Sequence, residues 1–97
     1  MGERIQYVYC LSNPSFKDEI VKIGWSNEYP IVSLLSNGQP TDYKLEFVIH
    51  TKEGIILEKK IHNHLNPYGF QGRHEFFKIS IDNLKKIIKD ELGLEAD

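Results

Sequence analysis

Arginine is nearly missing from this 97-residue chain, which carries only Arg4 and Arg73 among 12 basic residues set against 14 acidic ones. The formal net charge of -2 gives no global attraction to a polyanion, so any surface for nucleic acid has to be local. No apolar run approaches the ~20 residues that span a bilayer, and the polar start MGERIQ lacks a signal-peptide pattern, so an intracellular (cytoplasmic or nuclear) protein without membrane contact is expected. Met1-Gly2 does not complete a myristoylation motif, because position 6 is Gln where Ser or Thr is required. With one cysteine, Cys10, an internal disulfide is excluded, and its apolar surroundings point to an inert packed thiol. Repeats, linkers and low-complexity tracts are also lacking.

What remains is the composition of a folded domain, 40% hydrophobic and 27% charged. A chain this short buries a little over ~60% of its unfolded surface, so one small domain over 1–97, with its core in about 5–92, is expected.

Ile5–Leu11 (IQYVYCL) is rich in β-branched and aromatic residues and stops at Ser12-Asn13-Pro14, which predicts a strand. Ile20–Trp25 is a second strand, and the short connection between them makes the pair antiparallel. Ser26 or Asn27 can cap a short helix from near Glu28, with Pro30 in its first turn and Asn37-Gly38 closing it. Tyr43–His50 is a third strand with Leu45, Phe47 and Ile49 on one face.

Lys52–Asn66 is the clearest helix, stopped at Asn66-Pro67, and a short strand, His74–Ile79, follows. Ser80 caps a final helix to about Leu92, where Ile81, Leu84, Ile88 and Leu92 recur at helical spacing before Gly93. The order ββαβα(β)α predicts an α+β domain: a small three-stranded antiparallel sheet flanked by helices.

On the Lys52–Asn66 helix, Leu57, Ile61 and Leu65 define the core stripe, and Glu58 and His62 fall on its flank. An ionised carboxylate turned toward a core edge is costly unless a cation or several donors satisfy it. Two readings stay open: a metal-binding Glu58 with His62 one turn on, or a Glu–His pair at the core rim, stabilising the helix by a few tenths of a kcal/mol. His50, His64 and His74 have no zinc-like spacing. Lys59, Lys60, Lys85, Lys86 and Lys89 read as solvated faces, and Trp25, Phe76 and Phe77 as packing residues.

The segments VYCLSNP, VKIGWSN, SNGQP, LEKKIHNHL and HEFFKIS, in this order over about residues 5 to 80, resemble the GIY-YIG nuclease superfamily, and more closely its small phage- and virus-borne branch. That resemblance implies a divalent-metal-dependent endonuclease or nickase hydrolysing phosphodiesters, with DNA as the expected substrate. It puts Tyr9 in the place of the first motif's tyrosine and Lys22 in that of the second. Gly24 would let the backbone turn closely into the following helix. Glu58 matches the metal glutamate, which would hold a single Mg²⁺ (or Mn²⁺), and His62 matches the histidine of this branch.

Tyr9 would orient or deprotonate the attacking water, with Lys22 as the neighbouring cation or as a phosphate contact. The family's arginine belongs on the helix after the second motif, yet SNEYPIVSLLS has none; Pro30 or Ile31 stands there. Arg73, in GFQGRHEFF, is the arginine left to reach the cleft. The missing arginine keeps a second reading open, a catalytically impaired module binding nucleic acid or protein. Related domains are often joined to a separate DNA-binding domain, so sequence specificity is expected from a protein partner or not at all.

Overall fold

The structure, a computed structural model, describes residues 4–13, 19–29, 43–70 and 73–94. The helix expected from near Glu28 to Gly38 lies outside the described residues from Pro30 on, Ile31 included. Among the described residues, five strands form one antiparallel sheet in the order β3-β1-β2-β5-β4: β1 Gln6–Ser12, β2 Ile20–Ser26, β3 Lys44–Thr51, β4 Gly69–Phe70 and β5 Arg73–Lys78. Helices α1, Gly54–His64, and α2, Ile81–Leu92, complete an α+β fold. The chain is thus of the expected class, and the short strand before the last helix joins the sheet beside β2 and brings a two-residue strand with it. No described helix is long and apolar enough to cross a membrane.

Because strand side chains alternate, register sorts the sheet into two faces. Val8, Cys10, Val21, Ile23, Phe47, Ile49 and Phe77 meet Leu57, Ile61 and Leu65 of the α1 stretch and Leu84 and Ile88 of α2 in one core. The opposite face carries Tyr7, Tyr9 and Leu11 of β1 with their register partners Ser26, Gly24 and Lys22 of β2. Leu45 departs from the expected alternation with Phe47 and Ile49. A register shift between Cys10 and Leu11 sets Phe47 against Cys10 but Leu45 against Leu11, on the far face.

Helix α1 starts two residues later than its pattern suggests. Thr51 ends β3 and its Oγ1 accepts the Glu53 N–H (3.0 Å), while Gln6 Oε1 on β1 accepts the Gly54 N–H (2.6 Å). An otherwise orphaned helix donor is so tied to the sheet. Helix α2 has the ends its sequence announces: Ser80 Oγ accepts the Asn83 N–H, and Gly93 takes the left-handed conformation (φ 66°) with the Leu94 N–H on the Ile88 carbonyl. His64 Nδ1 lies 2.8 Å from Glu91 Oε2 and links the two helices. The five surface lysines named above are all exposed. Trp25 packs against the core and Phe77 is buried.

Cys10 is fully buried, and burial pushes its thiol well above the ordinary range. It is expected to react with a thiol reagent such as DTNB only on unfolding; rapid labelling of the native protein would contradict its place in the core.

Candidate functional site

β2 has β5 as its neighbour only over Ile20–Lys22, after which the two strands part. The backbone of β2 beyond Lys22 therefore needs other partners on that side, since unpaired buried amides cost free energy comparable to a lost hydrogen bond. Helix α1 supplies them. His62 Nε2 lies 3.1 Å from the Ile23 carbonyl oxygen, and the Trp25 N–H donates to the Glu58 carboxylate. A carbonyl only accepts, so Nε2 carries the proton and Nδ1 is the atom left with a lone pair in the neutral ring. The i,i+4 pair thus closes a gap between strands, with the His62 ring tilted on Phe77 at 5.1 Å.

Tyr9 reaches this gap from the far face of the sheet. Its register partner is Gly24, and the phenol ring lies directly over that residue. A Cβ at position 24 would stand 2.5 Å from Tyr9 Oη and 2.7 Å from Cζ. Gly24 lies within β2, which runs on to Ser26. Its role thus differs from the turn expected of it: the missing side chain is the space the ring occupies.

Lys22 faces the same side as Tyr9, two residue pairs along, and its Nζ lies 3.9 Å from Glu75 Oε2 of β5. Glu58 acts on Tyr9 and His62 on Glu58, while Lys22 is linked to both Tyr9 and Glu58 through Glu75, which acts on each of them. Arg73 opens β5 opposite Phe70; its side chain lies outside the described residues.

Glu75 is the member of this group that the sequence motifs did not single out. Its side chain is 50% exposed, so no burial pattern along β5 marks it, and only the pairing of β5 with β2 brings it to Lys22. Its field acts on both partners. Burial, then Glu75, then Glu58 raise the pKa of Tyr9, so this phenol is neutral at neutral pH. Burial raises that of Glu58 as well, opposed by His62, reinforced by Glu75, and opposed again by Lys59 and the Trp25 N–H.

Glu75→Gln is therefore expected to lower the Tyr9 pKa, read by NMR of ¹³Cζ-labelled tyrosine with Tyr9→Phe to assign the signal. An unchanged titration would remove Glu75 from the cleft.

Glu58 is the residue here that could hold a hard divalent ion. Glu58 is half-buried, has one hydrogen bond from the backbone and spare lone pairs, and faces a second carboxylate across the gap. Among the described residues no three His, Cys, Asp or Glu side chains converge as a metal cage. An ion at Glu58 would thus keep several waters, as Mg²⁺ does when one or two carboxylates hold it.

Comparison with known proteins gives one family: the model of the T5orf172 domain matches residues 6–91, which take in every strand and helix described apart from the last residue of α2. No curated protein and no solved structure matches the chain.

Proposed function

The chain belongs to the T5orf172 domain family, of GIY-YIG-like nuclease type, and from that membership we propose that it is a divalent-metal-dependent endonuclease or nickase acting on DNA phosphodiesters. What supports the reading is that Glu58 of α1 and Glu75 of β5 both act on the Tyr9 phenol held over Gly24, with Lys22 paired to Glu75 beside them.

Glu58 is the residue to hold Mg²⁺ or Mn²⁺, which when bound stabilises charge on a phosphate oxygen and on the leaving oxygen. Lys22 offers its ammonium to the phosphate, as a point charge without the bidentate geometry of an arginine. Tyr9, neutral and held over Gly24, orients the attacking water through its hydroxyl, and its proton is given up only as cations offset Glu58 and Glu75. His62 fixes the β2 edge beside Glu58 through Nε2 and so holds the carboxylate in place. Arg73 is the arginine of the chain that can complete the phosphate site. Sequence preference would come from a protein partner.

The test is incubation of the pure protein with supercoiled plasmid in Mg²⁺ or Mn²⁺, with EDTA as control. Metal-dependent nicking is the expected result, and an intact plasmid under all conditions would defeat the proposal. The absence of arginine from SNEYPIVSLLS favours a second reading, a cleft that binds nucleic acid without turnover. Binding that survives in both EDTA and Mg²⁺ with no product separates it from the first.

A further inference from the structure

Three rings sit together at the edge of this site. Tyr7 contacts Tyr29 edge-to-face, with centroids 5.4 Å apart, and His50 likewise at 5.3 Å. Tyr7 lies two residues from Tyr9 on the same strand face, a separation of about 7 Å, and His50 is its register partner on β3. Tyr29 is brought back over β1 by a short turn: the Glu28 N–H donates to Ser26 Oγ, and Gln6 Nε2 donates to Asn27 Oδ1. The buried members of the sheet need such rings for packing, yet Tyr29 is 55% exposed and His50 is exposed too. Tyr29, set edge-to-face on Tyr7 and left open to solvent, is a preorganised stacking surface.

Charge says which form of nucleic acid suits it. Twelve basic residues face 14 acidic ones, and in the cleft the carboxylates of Glu58 and Glu75 stand against the ammonium of Lys22. Phosphate contacts therefore supply little affinity, and a duplex, which hides its base faces, offers little else. An unpaired strand exposes those faces.

We propose that Tyr29, backed by Tyr7, which itself packs on His50, stacks on an unpaired base next to the phosphate that enters the Tyr9–Glu58 cleft, so that the substrate is single-stranded or locally unpaired nucleic acid. This rests on the phosphodiesterase reading for the position of the phosphate. The stacking itself is tested without cleavage.

Fluorescence anisotropy in EDTA compares a labelled oligothymidine, a hairpin duplex of similar length, and an oligothymidine with abasic positions. The wild type is expected to prefer the single strand to both others. Tyr29→Ala is expected to lose about tenfold or more on oligothymidine, and Tyr29→Trp to keep most of the affinity. Raising salt from about 50 to 200 mM should weaken binding far less than the 10³–10⁵-fold of a protein with many phosphate contacts.

Equal affinity for duplex and single strand, or equal affinity for abasic and intact strands, overturns the proposal. Indifference to Tyr29→Ala in a variant with wild-type melting overturns it as well, and the abasic comparison decides without any variant. Stacking that persists in a protein unable to nick removes the nuclease reading alone; nicking that ignores Tyr29 removes the stacking alone.

Discussion

Glu58→Gln and Tyr9→Phe are each expected to lower metal-dependent nicking by about 10²-fold or more while leaving the fold intact. The glutamine amide oxygen can still accept the Trp25 N–H, so the β2 edge remains closed and the charge that would hold the ion is what goes. Stability separates this from simple unfolding. Glu58 has a raised pKa in the folded protein, so the fold favours its protonated form; the benefit is full below the unfolded pKa and is lost as pH rises through the folded value.

At neutral pH the wild type therefore carries a penalty that glutamine removes, and Glu58→Gln should melt at the same temperature as the wild type or higher. Tyr9→Phe retains the ring over Gly24 and removes only the hydroxyl. Nicking by both variants at the wild-type rate would sink the assignment of roles. A marked fall in melting temperature for Glu58→Gln would show instead that its charge serves the fold.

Gly24→Ala is expected to have the second large effect, on activity far more than on stability. Replacing a strand glycine by alanine gains about 0.5–1 kcal/mol from the reduced freedom of the unfolded chain. Against this, the new Cβ would stand 2.5 Å from Tyr9 Oη and 3.2 Å from Cε1, and forcing a methyl group into packed surroundings costs about 1–3 kcal/mol. The net change is destabilising but small enough for the protein to remain folded.

The relief available is for the Tyr9 ring to swing away, because the other party to the clash is backbone. A displacement of ~1 Å at a reacting group costs about 10²-fold in rate. Melting by circular dichroism and plasmid nicking measure the two effects separately. A Gly24→Ala protein with wild-type turnover would mean that the position of the phenol over β2 is irrelevant to chemistry.

The strands and helices were legible because their signals are local. β-Branched and aromatic runs ended by Asn-Pro gave β1, and Ser80 and Gly93 bounded α2 through a side-chain oxygen and a left-handed glycine. The core stripe Leu57, Ile61 and Leu65 came from helical spacing and is buried as expected. Leu45 was misjudged, since a bulge is a property of two strands in register and leaves no mark on one of them. Glu75 is not legible in the sequence because its importance comes from where β5 lies against β2, and that pairing joins residues 54 to 58 positions apart, from Lys22 with Phe76 to Ile20 with Lys78.

By itself the amino-acid sequence determined the class of fold, the buried stripe of α1, and a glutamate and histidine turned together off that stripe, all consequences of periodicity within single elements. Only the tertiary structure decided that β5 leaves β2 after Lys22, that Glu58 and His62 close the resulting gap by binding its backbone, and that Tyr9 enters it over a residue with no side chain. Those facts depend on sheet order and register, which are set by packing between distant segments, and no spacing along one strand or helix encodes them.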